Sequence, residues 1–128
     1  MKNNRKPSVL VVDDDHMMRE VLKLILHSED YQVIGEADNG NSAIALCASL
    51  KPGLVLLDIN MPEMDGLQAL EEIHKASPAT VVLMVSAEAT MDRVSEAIKK
   101  GAAGFVVKPL NAASVLDRID NCFKKRGS

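Results

Sequence analysis

Leu54-Val55-Leu56-Leu57-Asp58-Ile59-Asn60-Met61-Pro62 is an aliphatic run that ends on an acid and then breaks into turn-forming residues. A short run with no polar alternation reads as a strand buried on both faces. Four further runs flank it at intervals of about 25 residues: Val9–Val12, Gln32–Ala37, Val81–Val85 and Phe105–Val107. Each is short, rich in Leu or β-branched residues, and followed by polar or turn residues, so each reads as a strand. Between them the apolar residues change to helical period. Met18, Val21, Leu22, Ile25 and Leu26 form one stripe, Met91, Val94, Ala97 and Ile98 a second, and Ala112, Val115, Leu116, Ile119 and Phe123 a third. Ser42–Leu50 and Leu67–His74 read as shorter helices that turn Leu46, Cys47, Leu50 and Leu67, Leu70, Ile73 inward. Asn41, Thr90 and Asn111 stand where N-caps belong.

Strict alternation of strand and helix calls for a parallel sheet covered on both faces, a doubly wound α/β three-layer sandwich. The first, third and fourth runs are apolar throughout and suit the interior, whereas Gln32 and Glu36 put the second at an edge. With the second and fifth strands outermost, the order is 2-1-3-4-5. The 128 residues fit one domain, with a core of about 7–125, and need no disulfide or metal to fold. Cys47 and Cys122, with no Cys or His at metal spacing nearby, read as small buried residues on helices. A formal charge of −3 and an aromatic share of 2% (Tyr31, Phe105, Phe123) argue against direct nucleic-acid binding. The apolar stretches are too short for a membrane span or a signal peptide, so a cytoplasmic domain without membrane insertion is expected. Met1–Pro7 and Lys124–Ser128 read as polar tails, with Lys124, Lys125 and Arg126 complementing the last helix's dipole. Glu71 and Lys75 read as a surface pair one helical turn apart.

In a parallel sheet all strand C-termini share one edge. The residues that follow the runs are Asp13-Asp14-Asp15, Asp58, Ser86 and Lys108-Pro109, and the reversal of winding between the first and third strands opens a crevice there. Each has an ordinary reading alone: Asp as a helix cap, Ser as a turn residue, Lys as a solvated charge. Together they are a chemical set. Crowded carboxylates repel, raise a pKa, or call for a cation. With no His or Cys among them, the cation is a hard one, Mg²⁺ or Mn²⁺, which keeps waters and binds a phosphoryl oxygen. Lys108 suits a phosphoryl oxygen and offsets the acidic cluster, and Ser86 can donate to another. Asp58, alone on the central strand, is the candidate nucleophile, and an aspartate that takes a phosphoryl group becomes an acyl phosphate.

Four segments carry a family resemblance: Val11-Val12-Asp13-Asp14, Leu57-Asp58-Ile59-Asn60-Met61-Pro62-Glu63-Met64-Asp65-Gly66, Val85-Ser86-Ala87-Glu88 and Val107-Lys108-Pro109. At these spacings the chain resembles the receiver domain of two-component response regulators, with the CheY-like, flavodoxin-like fold, from about Pro7 to Lys125. The resemblance implies that Asp58 is the phosphoacceptor, that Asp14 binds Mg²⁺ directly and Asp13 through water, and that the Asn60 backbone carbonyl is a further ligand. It implies that Ser86 and Lys108 grip the phosphoryl group, that the Lys108–Pro109 peptide is cis, that small Ala87 leaves a path for the donor, and that Asn60 and Glu88 tune the phosphoryl lifetime. Ser86 replaces the commoner Thr, and Phe105 stands where chemotaxis relatives carry a switching Tyr. Asp15 makes a triple acid, so Asp14 and Asp15 could be the metal pair; Met18-Arg19 downstream favours Asp13 and Asp14.

The function so implied is a signalling switch with self-phosphotransfer and autodephosphorylation rather than an enzyme. Its donor is a sensor histidine kinase, a phosphotransfer protein or a small acyl phosphate, and its target an unknown downstream protein or output domain. Ser86 moves toward the phosphoryl group, Phe105 turns inward, and the surface of the last two helices and last strand changes; a dimer through those helices is one option. A receiver-fold interaction module indifferent to phosphorylation, an aspartyl-nucleophile phosphatase and an FMN carrier are the alternatives. The phosphatase needs a second acid where Asn60 stands, and three aspartates would repel the flavin's phosphate.

Overall fold

The computed structural model describes residues 6–88 and 90–127, with side chains up to Lys124. Five parallel strands, β1 (Ser8–Val12), β2 (Gln32–Ala37), β3 (Leu54–Asp58), β4 (Val81–Ser86) and β5 (Gly104–Val107), form one sheet in the order β2-β1-β3-β4-β5. The helices α1 (His16–Ser28), α2 (Gly40–Leu50), α3 (Gly66–Ala76), α4 (Met91–Lys99) and α5 (Ala112–Gly127) connect and close it.

The twofold period of the strands divides the interior in two. Leu10, Val12, Val55, Leu57, Val82 and Met84 face α2, α3 and α4, whereas Val9, Val11, Leu54, Leu56, Leu83 and Val85 face α1 and α5. Both central faces are buried, which is why these runs show no alternation in sequence. The cysteines sit inside as expected, Cys47 on α2 and Cys122 on α5, and burial pushes the Cys47 thiol up to about 11. Among the described residues, no helix is long and apolar enough to cross a membrane.

Helix starts follow side-chain caps. Asp65 and Gln68 form a reciprocal capping box on α3, Thr90 accepts from the Arg93 N–H, and Asn111 accepts from the Ser114 N–H. The cap of α2 is Asn39, whose Oδ1 accepts from the Ser42 N–H at 2.8 Å, and not Asn41, which lies exposed in the first turn. Asn39 precedes the helix with extended backbone, whereas Asn41 already lies within its first turn.

The apolar stripes are narrower in the fold than in the sequence. Val21 is 38% exposed and Leu50 42%, and on α4 Met91 is 83% and Ile98 49% exposed, leaving Ala97 as its one buried residue. Val21 lies about 100° around its helix from Leu22, and Ile98 about 100° from Ala97, past the line of contact with the sheet. The Glu71–Lys75 pair is also corrected. Lys75 pairs with Glu72 at 3.3 Å, and Glu71 reaches Lys100 at the end of α4 at 2.7 Å. A cross-helix partner held at the C-cap of α4 displaces the local one. Lys124 stands 3.7 Å from Asp120; the expectation for Lys125 and Arg126 falls on side chains outside those described.

Core and surface leucines should respond differently. Leu57→Ala opens a cavity in a fully buried layer and should cost about 2–5 kcal/mol, whereas Leu24→Ala, at a position 71% exposed, should stay within about 0.5 kcal/mol. Urea unfolding followed by circular dichroism measures both.

Candidate functional site

Register builds the site. Val12 pairs with Leu57 and Ser86 with Val107, so the residues at these strand ends, Asp13, Asp58, Ser86 and Lys108, share one rim of the sheet. The Lys108 N–H donates to the Ser86 carbonyl at 2.9 Å, which ties the ends of β4 and β5 together.

Asp13 is fully buried. Its N–H donates to the Ala37 carbonyl at 3.1 Å, and its Oδ1 accepts from the Asp15 N–H at 2.9 Å. Its Oδ2 takes the Lys108 ammonium at 2.9 Å. Asp58, 3% exposed, accepts from the Asn60 N–H at 3.4 Å and stands 3.7 Å from the same ammonium. Ligand oxygens of Asp13, Asp14 and Asp58 lie within 4.8 Å of one another. Asp15 takes no part in this set. It caps α1, accepting from the N–H groups of Met17 at 3.0 Å and Met18 at 3.4 Å, so the acidic pair beside Asp58 is Asp13 with the exposed Asp14.

Ser86 is buried, and its hydroxyl accepts from the Glu88 N–H at 3.1 Å. Ala87, Glu88 and Asn60 are exposed around the opening. The Lys108–Pro109 peptide is cis. Phe105 is 7% exposed and belongs to the cluster that contains Met84, Ala97 and Ala102. A ring without a hydroxyl leaves no polar group unpaired when buried, and Phe105 lies within that cluster.

Two residues that shape the site carry no such role in the sequence reading. Gly66 begins α3 with its N–H donating to the Ile59 carbonyl at 2.7 Å, and a Cβ there would meet the Asp58 carbonyl oxygen at 2.2 Å. Glycine is thus required for α3 to start against the loop that carries Asp58; the Asp65-Gly66 pair is visible in sequence, the close approach is not. Arg19, visible only as a motif neighbour, donates from Nη1 to the Asp13 carbonyl at 2.8 Å.

The electrostatics are those of a crowded acidic crevice. Burial first, and the Asp13 carboxylate second, push Asp58 from the ordinary 3.8 up to about 6, against the opposing pull of Lys108 and the Asn60 N–H. An all-oxygen donor set with surplus negative charge suits a hard divalent cation.

A profile of the response regulator receiver domain matches residues 9–120. The chain belongs to this family. The receiver is 46% identical over 94 residues to the chemotaxis protein CheY of Listeria monocytogenes, covering 73% of this chain and 79% of that one. It superposes with a TM-score of 0.88 and 36% identity on a chain of the CheX–CheY–BeF₃–Mg complex from Borrelia burgdorferi, covering 91% of this chain and 88% of that one. On the response regulator domain of Thermotoga maritima CheB the TM-score is 0.86 at 36% identity, with 94% and 98% covered.

The raised pKa of Asp58 has a stability consequence. Between 3.8 and about 6 the folded protein holds a proton that the unfolded chain has lost, so folding weakens as pH rises through that window. In metal-free buffer at pH 7.5, Asp58→Asn should therefore stabilise the receiver by about 2 kcal/mol, and the gain should fade as pH falls from about 6 and be gone below about 4. Urea midpoints of both proteins across pH 4–8 check the sign.

Proposed function

We propose that this receiver is a phosphorylation-activated signalling switch in which Asp58 accepts a phosphoryl group with the help of Mg²⁺ or Mn²⁺. The observation that carries the reading is the meeting of three carboxylates within 4.8 Å and one ammonium 3.7 Å from Asp58 at the crevice between β1 and β3. Asp13, Asp14 and the Asn60 carbonyl would hold the ion, with Asp58 contributing an oxygen. The ion, when bound, supplies positive charge to a phosphoryl oxygen and to the crowded acids.

An Asp58 oxygen attacks phosphorus in line; the new P–O bond forms as the bond to the donor breaks, and the leaving group keeps its electron pair. The donor is the phosphohistidine of a sensor kinase or phosphotransfer protein, or a small acyl phosphate, and exposed Ala87 leaves its approach open. Lys108, held by Asp13 before the reaction, turns its charge to a phosphoryl oxygen. Ser86 exchanges the Glu88 N–H for a second one, and that exchange draws the loop after β4 toward the site. Asn60 and Glu88 flank the opening and govern water's access, and so the lifetime of the acyl phosphate. Phe105 is the second element of the switch; its ring is inward already, so modification locks that rotamer instead of creating it.

The signal leaves through α4, β5 and α5. Met91, Ile98 and Val107 are exposed apolar side chains there, suited to a downstream protein, an output domain or a second copy of the receiver. The whole chain acts as one receiver domain, in keeping with a cytoplasmic setting. A phosphatase is disfavoured because Asn60 replaces the second acid, and an interaction module indifferent to phosphate would have no need of a buried, charged Asp58.

Incubation with Mg²⁺ and acetyl phosphate should add the mass of one phosphoryl group, and Asp58→Asn should gain none. Equal gain by the variant sinks the assignment, and sustained turnover of an added phosphomonoester would replace it with the phosphatase.

A further inference from the structure

The β1–α1 turn is held from β2 on two sides. The Asp13 N–H reaches the Ala37 carbonyl at 3.1 Å, and the Asp13 carbonyl accepts from Arg19 Nη1 at 2.8 Å. Arg19 does not float. Its side chain is 15% exposed, and its Nε donates to Glu36 Oε1 at 2.9 Å. Glu36, the residue before Ala37 on β2, gives its other oxygen to Lys23 at 2.7 Å, and Lys23 also reaches Glu20 at 2.7 Å. One planar guanidinium thus spans an edge-strand carboxylate and the backbone of the acidic turn. A point-charge ammonium cannot reproduce that fork.

The carbonyl of Asp13 fixes the Asp13–Asp14 peptide plane, and that plane sets where both side chains leave the backbone. The Asp13 carboxylate is already held at both oxygens, by the Asp15 N–H and by Lys108. The peptide plane is therefore the remaining freedom by which Asp14 could drift from Asp13 and Asp58.

We propose that Arg19 is a positioning residue for the divalent-ion site: clamped by Glu36, its guanidinium holds the Asp13 carbonyl and with it the turn that presents Asp13 and Asp14. The inference rests on the divalent-ion reading of the acidic cluster. It gives the edge-strand glutamate a task beyond solvating the sheet margin, because Glu36 acts on the metal site through Arg19.

The test uses Mn²⁺ alone as the probe and the whole chain, following loss of the free Mn²⁺ signal by electron paramagnetic resonance. Arg19→Lys and Arg19→Ala should weaken Mn²⁺ binding by about tenfold, and Glu36→Gln by a smaller factor, as outer partners of metal ligands do. In the Arg19→Ala background, Glu36→Gln should add nothing. Ile73→Val, which disturbs the core away from the site, should leave the affinity unchanged. Folded Arg19 variants that bind within about twofold of the unaltered protein overturn the inference. So does an equal loss in Ile73→Val, or a full further loss on adding Glu36→Gln to Arg19→Ala. If Arg19→Ala does not fold, Arg19→Lys and Glu36→Gln decide the matter. Failure of the unaltered protein to bind Mn²⁺ at all would instead overturn the divalent-ion reading.

Discussion

Two carboxylates at 0% and 3% exposure, with the exposed Asp14 beside them, repel one another at the rim of the sheet. The fold keeps them there through Lys108, whose ammonium meets Asp13 at 2.9 Å and Asp58 at 3.7 Å. Burial first, and then the Asp13 carboxylate that this one cation does not offset, let Asp58 hold its proton to about pH 6. A cluster with surplus negative charge is costly to assemble, and an ion of opposite charge bound there would offset that cost. The surrounding architecture serves this crowding: β1 and β3 are neighbours so that Asp13 and Asp58 meet, and β5 lies beyond β4 so that Lys108 reaches back across Ser86.

The interior around the site is uneven, and the unevenness has a direction. The sheet's central strands are buried on both faces, and α3 places Leu67, Ala69, Leu70 and Ile73 in the core. By contrast α4 buries Ala97 alone, while its far end is tied to α3 through Lys100 with Glu71 at 2.7 Å and through His74 with the Gly101 carbonyl at 3.1 Å. Elements with little buried apolar surface are the ones whose position is cheaply altered. Thus α4 is pinned at its C-terminal end and lightly packed along its length, and the segment that leads into it leaves β4 at Ser86.

Much of this was legible before any coordinates. The runs at 9, 32, 54, 81 and 105 are strands, because uninterrupted aliphatic stretches of that length bury on both faces of a parallel sheet. Polar Gln32 and Glu36 marked the edge correctly. The site was legible because strand ends are fixed in space once strand order is known. The failures were all of one kind. Val21, Leu50 and Ile98 satisfy a helical period yet stand outside the contact line. Glu71 and Lys75 satisfy i,i+4 spacing yet take other partners. Asn41 is a cap former two residues too late. Each is a choice between local options that only neighbouring elements settle.

The linear sequence, through aliphatic runs and the residues that end them, determined the sheet order and brought Asp13, Asp58, Ser86 and Lys108 to one rim, because strand period and parallel pairing leave little freedom. The tertiary structure decided what each of those residues does beside the others. It made Asp15 a helix cap and left Asp14 with the cluster, it set Phe105 inside, and it required glycine at 66 because a backbone carbonyl lies 2.2 Å from where a Cβ would stand. Such roles depend on distances between segments far apart in the chain, and spacing along a sequence does not encode them.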